Sequence, residues 1–136
     1  MHVLPLTAGA VSALITVYVA RRLPLAREQT FYCALLVVIA AIYPLAGLLQ
    51  QLDPTVVLWE TVAAAAFAAV AWVAWRRQPA LVVLGLLAHA LWDVAHGPQA
   101  AQAMPIWYAP LCLAYDLVVT VYAASRLGDW GVLEHA

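Results

Sequence analysis

The chain has 136 residues, of which 67% are hydrophobic and 10% charged, with a formal net charge of -1. A mean hydropathy of +0.91 lies far outside the composition of a soluble domain and predicts an integral membrane protein. With no basic patch to neutralise phosphates, a nucleic-acid partner is excluded. Cys33 and Cys112, both inside apolar runs and neither in a CxxC motif, read as small buried hydrophobes rather than as a disulfide or a thiolate metal site.

Taken in order, Val3 to Ala20 is apolar with Ser12, Thr16 and Tyr18 as its notable polar groups, long enough to cross about 30 Å of hydrocarbon. It ends in Arg21 and Arg22 instead of a small-residue cleavage site, so it is expected to stay as a first transmembrane helix. Pro24 stops it, and Arg27 and Glu28 complete a short polar turn. Phe31 to Gln50 is the second span, with Pro44 and Gly47 predicting a kink directly after Tyr43. Gln50, Gln51, Asp53 and Pro54 form a turn before the third span, Thr55 to Trp75. Its alanine-rich middle lets helix backbones approach closely and predicts a place at the centre of the bundle. Pro79 opens the fourth span, which runs to His96; Gly97, Pro98 and Pro105 bound an uncharged loop, and Ile106 to Ala124 is the fifth span, followed by a polar tail from Arg126. The predicted fold is therefore all-α, a single domain over residues 1–136 with five transmembrane spans at 3–20, 31–50, 55–75, 79–96 and 106–124.

The six arginines orient it. Arg21, Arg22, Arg27, Arg76, Arg77 and Arg126 fall in the first loop, the third loop and the C-terminal tail, which the positive-inside rule places in the cytoplasm, with the N-terminus outside. A multi-pass protein of the bacterial inner (cytoplasmic) membrane is the expected setting. Trp59, Trp72, Trp75, Trp107 and Tyr108 lie near span ends, as interfacial aromatics do.

Within this frame the stretch HALWDVAH stands out, because His89, Asp93 and His96 share one helix face. Ionisable side chains in lipid are costly and mark function by default. At 1.5 Å per residue, His96 falls near the outer interface, His89 about 10 Å below it, Glu60 about 8 Å and Asp116 about 15 Å, with Tyr43 in the same layer. Every intramembrane acid or histidine is thus expected in the outer half; the inner half offers Tyr32, Thr16, Ser12 and Thr120. Metal binding explains this convergence most economically. Imidazole and carboxylate are ligands for a divalent transition metal such as zinc, iron or copper, and a cation offsets the desolvation of buried carboxylates. The expected ligands are His89, Asp93 and His96, with Glu60 and Asp116 completing the site or orienting the imidazoles. Glu60 or Asp116 is the expected general base, and a tyrosine, Tyr43 or Tyr108, the proton donor.

Plainer readings apply to each residue. His96 can cap a helix C-terminus, Glu60 can favour the positive end of its helix dipole, and His89 with Asp93 can be a self-satisfied pair one turn apart. The tyrosines pack, and Cys112 reads as an inert buried thiol.

The stretches FYCALLVVIAAIYPLAG, HALWDVAHG and PIWYAPLCLAYDLVVTVY resemble a group of small bacterial integral membrane proteins, domain of unknown function 6010. The resemblance spans roughly Phe31 to Tyr122 and is most specific in HxxWDxxH and WYxPxCxxYD. It implies that His89, Trp92, Asp93, His96, Trp107, Tyr108, Tyr115 and Asp116 are signature residues. A second histidine often follows the last one in that pattern; Gly97 stands there instead, so the resemblance implies one candidate ligand fewer in this chain.

Three functions fit these features. The first is a metal-dependent membrane enzyme, a hydrolase or oxidoreductase, acting on a lipidic or small hydrophobic substrate. The second is a metal or proton binding or transport protein, the third a structural bundle whose polar groups serve helix association. Transport ranks below the enzyme because no acid or histidine continues the outer cluster inward and no inverted repeat is detectable, though a homo-oligomer can build a pore that a monomer cannot.

Overall fold

The computed structural model describes residues 3–95 and 103–133, and among them the chain is all-α. The described residues form five helices in order: α1 (Val3–Ala20), α2 (Leu25–Leu49), α3 (Pro54–Arg76), α4 (Ala80–Ala95) and α5 (Tyr108–Leu133). Four of them are long and apolar enough to cross a membrane, and α4 is an apolar helix of 16 residues among the described ones. In so apolar a chain the hydroxyls bond to their own helices: Thr7 donates to the Val3 carbonyl, Thr16 to Ser12 and Thr61 to Val57, each one turn back.

Prolines and one capping acid set the helix starts. Pro24 is extended and precedes α2. The Asp53 carboxylate accepts the Thr55 N–H at 2.8 Å with Pro54 at the first helical position of α3, an arrangement that satisfies an orphan donor. The Thr55 N–H also holds the Asp53 carboxyl below its ordinary range. At the far end of α2 the chain turns through Gln51, whose φ of 54° is left-handed, and Leu52 N–H closes on the Gly47 carbonyl at 3.0 Å.

Two boundaries differ from the sequence expectation. Helix α2 begins at Leu25 instead of Phe31, so Arg27 and Glu28 are helical rather than in a turn. Pro24 explains this, since its fixed φ suits the residue just before a helix and Glu28 then lies in the favourable first turn. Helix α5 continues to Leu133, and Arg126 and Trp130 of the expected tail lie on its inward face.

Hydrogen bonds and close contacts fix the helix directions. Near the α2 start, Gln29 reaches the Ala74 carbonyl near the α3 end, and Glu28 meets Tyr122, Arg126 and Trp130 near the α5 end. Tyr43 and Asp93, both toward the ends of α2 and α4, meet each other. Helix α1 runs with α5: Thr16 bonds Tyr115 at 2.9 Å, and a Cβ on Gly9 would lie 2.1 Å from the Leu111 carbonyl oxygen, so only glycine allows that backbone approach. Helices α1, α3 and α5 therefore point one way and α2 and α4 the other, with all six arginines at one end.

Helix α5 packs between α1 and α4, and α3 packs on α2 and α4. The centre is α2, whose inward stripe includes Tyr32, Leu36, Ile39, Tyr43 and Gly47. Helix α3, expected at the centre, lies at the edge with Glu60, Ala71 and Ala74 as its buried residues. Alanine permits close approach but buries little surface, and the bulkier α2 and α5 stripes take the middle. Leu36, Val82, Leu86 and Val119, all fully buried, form an apolar layer across the waist.

Candidate metal centre

The inward stripe of α4 is Val82, Gly85, Leu86, His89, Ala90 and Asp93, steps of three and four that keep one face turned to the bundle. Its first half is apolar and meets the waist; its second half carries the ionisable residues. His89 is 2% exposed and Asp93 1%, and Asp116, projecting from α5 on the other side, is also 1% exposed. His89 Nδ1 lies 2.7 Å from Asp116 Oδ2 and 3.7 Å from Asp93 Oδ2. On the opposite side of Asp93, the Tyr43 hydroxyl donates to Oδ1 at 2.8 Å. Three helices thus supply four side chains in one buried network, with the Phe67 ring of α3 set edge-on to the imidazole at 5.1 Å.

His89, Asp93 and Asp116 each offer a ligand atom, and these atoms lie within 4.8 Å of one another. Two ligands each bonded to one ion at about 2.1 Å stand no more than about 4.2 Å apart, so the three groups are within about an ångström of a coordination sphere. Two atoms in this network have no hydrogen-bond partner among the described residues, His89 Nε2 and Asp93 Oδ2. Buried polar atoms are normally paired, and an imidazole nitrogen and a carboxylate oxygen left without hydrogen-bond partners in one network are atoms of the kind a cation binds. The charge balance points the same way: with both acids ionised the cluster stays net negative even when His89 is cationic, and no arginine of the described residues bonds to it.

The other expected site residues are placed as follows. Glu60 is buried on α3 two turns before Phe67, outside the three-residue group. Tyr108, half-buried at the start of α5, packs its ring against Tyr43 at 5.9 Å and against Trp107 at 6.2 Å. Cys112 is a free, half-buried thiol one turn before Asp116. His96 lies outside the described residues.

A family model described as a family of unknown function, DUF6010, matches residues 4–128. The chain belongs to that family. The match reaches beyond the stretch Phe31 to Tyr122 that carries the resemblance, taking in α1 and the arginine-bearing part of α5. No curated protein and no solved structure matches this member of the family.

A second polar cluster, unexpected from the sequence, sits across the waist. Glu28, 1% exposed, accepts from the Tyr122 hydroxyl at 2.6 Å, Arg126 Nε at 3.1 Å and Trp130 Nε1 at 3.3 Å. Arg126 also holds Asp129. The fully buried Tyr32 ring packs on both Tyr122 and Trp130, at 5.9 and 5.8 Å. Contrary to the expectation that no acid or histidine continues inward from the outer cluster, Glu28 is a buried acid toward the arginine-rich end. Tyr122, Arg126 and Trp130 are spaced at i, i+4 and i+8, a helical face visible in the sequence and broken there by ending the helix at Ala124.

Proposed function

We propose that this protein is a metal-dependent membrane enzyme whose ion sits inside the bundle on His89, Asp93 and Asp116. The observation that carries the reading is the convergence of these three buried groups, with His89 Nε2 and Asp93 Oδ2 left without hydrogen-bond partners. Two or three protein ligands, according to whether Asp116 binds the ion or orients the ring, leave a coordination position open, the pattern of catalytic rather than structural sites. When bound, zinc would supply an activated water for hydrolysis, and iron or copper would supply oxygen chemistry. Asp116 would bind the ion directly or orient the His89 ring, and Tyr43, already bonded to Asp93, offers a hydroxyl to hold or deliver a proton. Four long apolar helices support a membrane setting, and the clustering of all six arginines at the Glu28 end supports a cytoplasmic position for that end. A substrate reaching a centre enclosed by apolar helices would be lipidic or small and hydrophobic.

Ion or proton transport is the second reading, favoured by Glu28 as a buried acid across the waist. The apolar layer of Leu36, Val82, Leu86 and Val119 stands between the two clusters and ranks it lower. Elemental analysis of the purified protein tests the first reading. Wild type is expected to hold one equivalent of a transition metal, and a His89→Ala/Asp93→Ala double variant to hold almost none. Equal metal in both proteins, or none in the wild type, removes it.

A further inference from the structure

At the arginine-rich end a groove of about 190 Å³ opens between α2 and α3. Ala34 and Val37 from α2 and Ala68 and Ala71 from α3 line it, and Trp72 and Trp75 form one wall. It exists because the alanines of α3 are too small to fill the seam beside α2. The seam closes at Gln29, whose amide donates to the Ala74 carbonyl at 3.4 Å. Just past the groove comes charge. The Arg76 guanidinium lies 4.9 Å from the Trp72 ring and 5.2 Å from the Trp75 ring, which are themselves 5.4 Å apart. Stacking of this kind fixes the direction of an arginine without consuming its donors. Neither Arg76 nor its neighbour Arg77 has a carboxylate partner among the described residues, whereas Arg126 on α5 has two.

We propose that this groove binds one anionic phospholipid, with an acyl chain along the alanine floor and the phosphate on Arg76 and Arg77. The physical match is specific. The groove is apolar where hydrocarbon would lie, its tryptophan wall suits the interfacial depth, and the unpaired guanidinium beyond it offers parallel N–H donors to phosphate oxygens. Basic pockets between helices at one membrane face are the general form of sites for acidic lipid headgroups. A zwitterionic lipid fills the groove equally well but brings a choline cation toward two arginines, so the charge selects the headgroup. The inference rests on the membrane setting proposed above and is independent of the metal.

Native mass spectrometry of the full chain from micelles holding equimolar dioleoyl phosphatidylglycerol and dioleoyl phosphatidylcholine tests it. Wild type is expected to retain one phosphatidylglycerol with about ten-fold preference. Arg76→Gln/Arg77→Gln should abolish the preference, and Ala68→Leu, which fills the groove without touching charge, should reduce retention of both lipids. Arg21→Gln/Arg22→Gln, which removes the same charge from the α1 end, should keep the preference. Equal retention of the two lipids by wild type, or equal loss in the two arginine variants, overturns the site. Recovery of wild type in pure phosphatidylcholine nanodiscs reads the membrane setting separately, and failure there overturns that reading and the lipid site together.

Discussion

Replacing Glu28 with alanine is expected to lower the unfolding free energy by about 2–4 kcal/mol, a large fraction of the stability of a small domain. The side chain accepts three hydrogen bonds in a place that is 1% exposed. Alanine leaves the Trp130 N–H, the Tyr122 hydroxyl and the Arg126 guanidinium without their acceptor, and an unmade buried bond costs more than a made one contributes. Arg126 is 31% exposed and recovers water when released, so its share is discounted and the estimate stays below that for a fully buried ion pair. Glu28→Gln keeps an acceptor oxygen and should fall between. Thermal or denaturant unfolding of the detergent-solubilised proteins measures both, and an alanine variant within about 0.5 kcal/mol of wild type would mean the cluster does not tie α5 to α2.

Asp116 carries the second large effect. Its Oδ2 lies 2.7 Å from His89 Nδ1, so that nitrogen holds the ring proton when Asp116 accepts and leaves Nε2 free for an ion. Asp116→Ala removes that orientation and a negative charge together, and metal affinity is expected to fall by about 10–100-fold through loss of the orienting bond alone. Asp116→Asn separates the two effects, since the amide oxygen can still accept from Nδ1. If Asp116 only orients the ring, the asparagine variant should hold metal nearly as well as wild type; if it is a ligand, both variants should lose metal alike. Competition against a chelator of known affinity gives the two constants. An alanine variant with unchanged affinity would place Asp116 outside the metal's influence.

The five helices of the described residues, their alternating directions and the meeting of His89, Asp93 and Asp116 were legible because apolar runs, proline positions and steps of three and four residues are local properties of a chain. Depth arithmetic put Tyr43 and Asp116 in one layer, and the structure joins both to the α4 network. What escaped depends on surfaces meeting from far apart in the sequence. Glu28 reads as a solvated turn residue until Tyr122, Arg126 and Trp130, some 94 to 102 positions away, are seen to cover it. The alanine run of α3 was misplaced for a related reason: small residues permit close packing on any neighbour, and only the bulk carried by the other helices decides which of them takes the centre. Glu60, placed in the same layer by depth, is buried on α3 outside the group that His89, Asp93 and Asp116 form, and depth alone does not say which side chains meet.

X-ray absorption at the metal edge of the purified wild-type protein tests the central claim most directly. A centre on His89, Asp93 and Asp116 predicts a first shell of nitrogen and oxygen at about 2.0–2.2 Å with an imidazole signature and no sulfur. A sulfur scatterer at about 2.3 Å, drawing in Cys112, or a metal-free protein whose His89 and Asp93 are intact, would contradict it.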